Sequence, residues 1–214
     1  MLEHFISAFA TLFVTIDPLG NVPIFMALIA SYPARLQRAI TLRACLIALL
    51  ILLIFAFAGN SLLNFLGISL PALQIAGGVL LLVVAFDMVF ERHSARRQQR
   101  ADEAALEQGE TEEGEWQALA IFPLAIPMLA GAGAMTSLLV VSAGTHLTTL
   151  PFYMGLLALV LVLALFGVLM LMTIALGNRV NKQVYLVLTR IMGVILAALS
   201  MQFIISGIQK AFGL

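Results

Sequence analysis

Residues 5–30 read FISAFATLFVTIDPLGNVPIFMALIA, an apolar run whose single charged residue, Asp17, lies near its middle. As unbroken helix this run of about 26 residues would reach roughly 39 Å, more than the ~30 Å of a bilayer's hydrocarbon core. Something must interrupt it. Pro18 and Pro23 lack the amide hydrogen a helix needs and crowd the carbonyls of Val14 and Leu19, while Gly20 and Asn21 between them accept open or left-handed backbone. The unwound stretch is therefore expected at Leu19–Val22. The order Asp17-Pro18 also reads as a helix start, with a carboxylate N-cap and a proline where no helical bond is lost. An ionisable group at membrane depth costs at least ~2.5 kcal/mol and is usually kept for function. Three roles for Asp17 stay open: coupling to a proton or sodium ion, binding a substrate ammonium, or capping alone.

The rest of the chain fits a lipid solvent. Of 214 residues, 62% are hydrophobic and 10% charged, against about half and a quarter in soluble domains. That excludes a soluble enzyme. Zero net charge leaves no basic face for nucleic acid. Neither 44–86 nor 116–178 contains a charged residue. Six crossings fit, near 5–30, 39–58, 70–90, 117–141, 151–175 and 184–209. Turns are expected at Tyr32-Pro33, Gly59-Asn60, Gly144-Thr145 and Gly177-Asn178. Met1–Phe5 has no Lys or Arg, so the first span reads as retained rather than as a cleaved signal. Of the eleven Lys and Arg, all but Lys210 fall beside loops one, three and five, which makes that side cytoplasmic and puts both termini outside. Re-entrant hairpins at 5–30 and 117–141 would place Arg179 and Lys182 opposite the other arginines, so the six-crossing reading fits better.

A faint repeat runs through the halves. Ile16-Asp17-Pro18-Leu19 recurs as Ala125-Ile126-Pro127-Met128, and Gln74-Ile75-Ala76-Gly77 as Arg190-Ile191-Met192-Gly193. The expected fold is an all-α membrane protein of two inverted three-helix repeats, residues 1–90 and 117–214, joined by a hydrophilic cytoplasmic linker, 91–116. The first helix of each repeat is expected to break near the midplane. Pro123, Pro127, Gly131 and Gly133 punctuate the second copy, and 130–134 carries nothing larger than a methyl group. In hydrocarbon, irregular backbone survives only where protein, water or a ligand satisfies it, so paired breaks point to a transport site.

Other residues carry less. Thr136, Ser137, Thr15 and Asn21 are candidates to line a polar path, although helix hydroxyls more often bond their own backbone. Asp87 and Arg190 lie near cytoplasmic helix ends, where snorkelling or a mutual ion pair explains them. Cys45 reads as an apolar filler, His4, His93 and His146 show no metal-ligand spacing, and no metal or cofactor is expected. Gly77-Gly78 and Gly193-x-x-x-Ala197 favour close helix contact within one chain or in a homo-oligomer. An intramembrane enzyme would need a second reactive group at depth, and Asp17 is alone there.

Together, Ile-Asp-Pro-Leu-Gly-Asn-Val-Pro-Ile-Phe at 16–25, Arg-Ala-Ile at 38–40 with Arg43, Ile-Ala-Gly-Gly at 75–78, and Ile-Pro-Met-Leu-Ala-Gly-Ala-Gly-Ala at 126–134 resemble the MarC family of bacterial inner-membrane proteins over nearly the whole chain. The resemblance implies six helices and an inner-membrane location. It also implies, as for some members, transport of small neutral amino acids. Asp17, Pro18, Gly20, Asn21 and Pro23 match the family's first motif, and Pro127, Gly131 and Gly133 its second. The family commonly has Ala-Gly-Pro-Gly where this chain has Ala130-Gly131-Ala132-Gly133, so the second break is less firmly enforced. The expected function is a secondary transporter of a small polar solute. A non-catalytic channel or assembly subunit is the alternative.

Overall fold

The computed structural model describes residues 2–90, 115–142, 149–176 and 182–213. Its elements are α1 (Leu2–Ile16), α2 (Pro18–Ile29), α3 (Ala34–Phe65), α4 (Leu70–Phe90), the short α5 (Glu115–Leu119), a segment of wide π-type turns (Ala120–Leu129), α6 (Ala132–Ser142), α7 (Leu150–Leu176) and α8 (Lys182–Phe212). Five spans, the first of them Leu2–Ile29, are long and apolar enough to cross a bilayer. A sixth is formed if the pair Trp116–Leu129 and Ala132–Ser142, bent by 53°, counts as one.

Most boundaries follow the sequence signals. Pro33 ends the turn at Tyr32 and opens α3, as proline suits a helix start. The Gly59-Asn60 turn does not form, because α3 runs on to Phe65. Gly59 is there for packing instead: a Cβ would come within 2.9 Å of Leu139 on α6. The chain reverses after Leu66, where Gly67 takes φ 69° and Ile68 N–H bonds Leu63 C=O at 2.9 Å, closing the helix by the usual left-handed glycine stop. Open space surrounds a Cβ at Gly67. Gly67→Ala is therefore expected to cost only the left-handed penalty of about 1 kcal/mol, read as a small drop in the thermal midpoint in detergent. The expected turns at Gly144-Thr145 and Gly177-Asn178, and the linker up to residue 114, lie outside the described residues. Trp116, the last residue of that linker, packs under the Arg43 guanidinium, 5.5 Å from ring centroid to charge.

Small residues set the packing. On α3 the buried stripe is Ile40, Ala44, Ala48, Leu52, Ala56, Gly59 and Leu63, whereas Leu42, Leu46, Leu50, Ile54 and Phe57 point outward, Ile54 65% exposed. Outward-facing leucines are natural where the surroundings are acyl chains. The main core draws on α1, α2, α3, the 120–129 segment, α6 and α7; Leu81, Ala85, Leu196 and Phe203 form a second, smaller core between α4 and α8. Those two helices approach at glycines. A Cβ on Gly78 would sit 2.8 Å from the Ser200 carbonyl, and one on Gly207 3.0 Å from that of Pro71. Elsewhere α1 and α2 pack on α7, the 120–129 segment and α6 on α3, α3 on α7, and α6 on α4, while α1 and α2 also touch α8.

Candidate functional site

The first break is one residue wide. Asp17 has φ 49° and ψ 66°, the left-handed region, and is the only non-glycine residue with positive φ among those described. Leu19–Val22, expected to unwind, are helical. The break falls one turn earlier because Pro18 starts a helix well and Asp17 caps it. Gly20 N–H donates to Asp17 Oδ1 at 2.9 Å, a charge-assisted cap. Gly20 is tied to this cap, since a Cβ there would overlap the Asp17 carboxylate and crowd Met88 of α4. Asp17 itself is 7% exposed. Pro18 and Gly20 are buried, Asn21 is half-buried and Pro23 is exposed. Pro23 sits inside α2, where it leaves the Leu19 carbonyl without its helical donor.

The second break is wider. The Phe122-Pro123 and Ile126-Pro127 bonds are cis, with Phe122 and Ile126 extended before them, as residues preceding proline prefer. Ala130 and Gly131 are non-helical, and α6 begins at Ala132. Pro127 is exposed, Gly131 and Gly133 half-buried, and Thr136 buried. Gly133, expected to punctuate the break, and Thr136, a candidate to line a polar path, both lie in α6, against α4: a Cβ on Gly133 would overlap Leu81, and one on Gly77 would overlap the Thr136 side chain.

Asn21 joins the two breaks. Its side-chain amide donates to Ile16 C=O at 2.7 Å and reaches Met128 C=O at 3.5 Å. One side chain of the first interrupted span thus serves carbonyls at both interruptions. This juxtaposition brings together Asp17, Gly20 and Asn21 with the 128–131 backbone; α4 walls the site through Gly77, Leu81 and Met88. Pro23 and Pro127 shape backbone but face away from the interior. Sequence reasoning had Ser137 only as a path residue, yet it is fully buried beside Thr136. No sequence signal ranked it higher. Asp87 is half-buried and Arg190 exposed, at the ends of α4 and α8 that meet where Gly193 adjoins Met88 and Val89.

Long apolar helices, lipid-facing leucines and a buried capped break define a multi-pass integral membrane protein. Residues 2–212 match the family described as MarC family integral membrane protein, and the chain belongs to that family. It is 37% identical over 210 residues to the UPF0056 membrane protein MJ1677 of Methanocaldococcus jannaschii, covering 98% of each chain. It is 34% identical to the UPF0056 inner membrane protein YhgN of Escherichia coli, covering 97% of this chain and 98% of that one. The family therefore spans an archaeon and a bacterium. No solved structure matches the chain.

Proposed function

We propose that the protein is a secondary transporter of a small polar solute, a neutral amino acid by the family resemblance, working by alternating access at the two breaks. The observation that carries this reading is Asn21, which holds carbonyls of both interrupted spans beside a buried carboxylate. Interrupted spans meeting at one place supply unpaired donors, acceptors and helix ends without an enclosing loop. Asp17 suits a solute ammonium or a coupling proton or sodium ion.

The contacts support an inverted repeat of 1–90 and 117–214. Exchanging the halves, with α1 and α2 standing for 120–129 and α6, α3 for α7, and α4 for α8, turns each main interface described above into another of them. In this reading there are six crossings, the bent pair being the fourth, with both termini periplasmic and 91–116 cytoplasmic.

Counterflow tests the proposal. In proteoliposomes, internal unlabelled L-alanine is expected to accelerate entry of labelled L-alanine saturably, and Asn21→Ala is expected to lower the rate more than about tenfold. Non-saturable flux, or none for any small neutral amino acid, overturns the carrier reading in favour of a pore or an assembly subunit.

A further inference from the structure

Buried or half-buried hydroxyls in these helices are mostly satisfied by their own backbone. Thr15 donates to Thr11 C=O at 2.9 Å, Thr41 to Gln37 at 2.8 Å, Thr173 to Leu169 at 2.8 Å and Ser200 to Ala197 at 2.7 Å. Ser137 departs from this pattern. It is 0% exposed, and among the described residues its Oγ has no hydrogen-bond partner. An orphaned buried hydroxyl costs about 1–3 kcal/mol, and the Gly133 carbonyl one turn back would ordinarily relieve it. A group left unsatisfied in this way calls for a ligand or a function.

Its position says which ligand. Cα–Cβ bonds in a helix tilt toward the N-terminus, so the Ser137 hydroxyl lies over the opening turn of α6. The first backbone bond of α6 runs from Met135 N–H to Gly131 C=O at 3.0 Å, which leaves the N–H groups of Ala132, Gly133 and Ala134 as the free donors of that turn. No acidic side chain lies in the turn. Residues 130–134 carry nothing beyond a methyl group; Ala130 and Ala134 are buried, but Ala132 is exposed and Gly131 and Gly133 are half-buried, so the mouth of the turn is the part a small ligand can reach. The groups that converge are donors at the positive end of a helix dipole, which favours an anion. A carboxylate fits best, because one oxygen can take the opening N–H groups while the other accepts from the hydroxyl.

We infer that Ser137 and the first turn of α6 form the carboxylate-binding end of the site, opposite in charge preference to Asp17. The inference deepens the transporter reading and rests on it for the identity of the solute, but carboxylate binding is measurable by itself. The apo stability of Ser137→Ala is expected to equal or exceed that of wild type, since an unsatisfied group is removed. In detergent, L-alanine and propionate are expected to raise the wild-type thermal midpoint and propylamine to do so less. Ser137→Ala is expected to bind L-alanine and propionate about tenfold more weakly, equivalent to ~1.4 kcal/mol, and Ser137→Thr to recover part of the loss. If propionate stabilises wild type and not Ser137→Ala while L-alanine is never transported, the carboxylate end stands and the carrier reading falls. Equal stabilisation of wild type and Ser137→Ala by both carboxylates, or of wild type by neither, overturns the inference.

Discussion

Asp17→Asn is expected to leave the fold standing while stopping flux. Asparagine tolerates the left-handed region nearly as aspartate does, and its side-chain oxygen can still accept the Gly20 amide that now reaches Asp17 Oδ1 at 2.9 Å. As helix caps the two residues are about equal. What the substitution removes is charge at a site 7% exposed. The thermal midpoint should therefore stay near that of wild type, with counterflow reduced more than about tenfold. Asp17→Ala separates the other role. It loses the cap, about 1 kcal/mol, and holds alanine at φ 49°, another 1–2 kcal/mol, so a loss of about 2–3 kcal/mol is expected. Full flux in Asp17→Asn would remove the charge from the mechanism. An undiminished midpoint in Asp17→Ala would deny the cap.

Gly78→Leu is expected to cost stability on the same scale as Asp17→Ala, by overpacking instead of a lost cap. At this glycine the nearest obstacles to a Cβ are the Ser200 carbonyl at 2.8 Å and the Ile204 amide nitrogen at 3.1 Å, besides the Ile204 side chain. A side chain can rotate aside, whereas the backbone of α8 cannot without the helix moving. Overpacking of this kind costs about 1–3 kcal/mol, and a helix-favouring residue returns no more than ~1 kcal/mol of that. A net loss near 2 kcal/mol, with α4 and α8 pushed apart, is expected. Val79 is the neighbouring control: it is 48% exposed, and Val79→Leu should stay within about 0.5 kcal/mol. Equal midpoints for the two variants would mean that the glycine contact does not hold the pair together.

Local chemistry was legible in the sequence, and tertiary use of the same residues was not. Pro18 after Asp17 announced a helix start, and Tyr32-Pro33 a turn, because both signals act within one turn of backbone. The apolar run 70–90 gave α4 its ends for the same reason. Gly59 misled because a glycine spared for a neighbouring leucine looks identical, in one dimension, to a glycine that bends the chain. The placement of the break at Asp17 rather than Leu19–Val22 turned on competition between two prolines, which the capping bond to Gly20 decides. Asn21 was visible as a polar residue at depth, but its reach to Met128 joins positions far apart in sequence. The orphaned state of Ser137 depends on surroundings that no spacing pattern encodes. Gly133, read as punctuating the second break, and Thr136, read as a path candidate, both lie inside α6, against Leu81 and Gly77 of α4, contacts that no spacing along the chain encodes.

The glycine-to-backbone seam between α4 and α8 has a consequence for biogenesis. α4 leaves the ribosome roughly a hundred residues before its partner, at the pace of translation, so its glycine-lined face waits in the membrane without the surface that fits it. A chain interrupted after α7 would present that face to other proteins in the bilayer, which makes synthesis of the last helix the step that commits α4 to its own molecule.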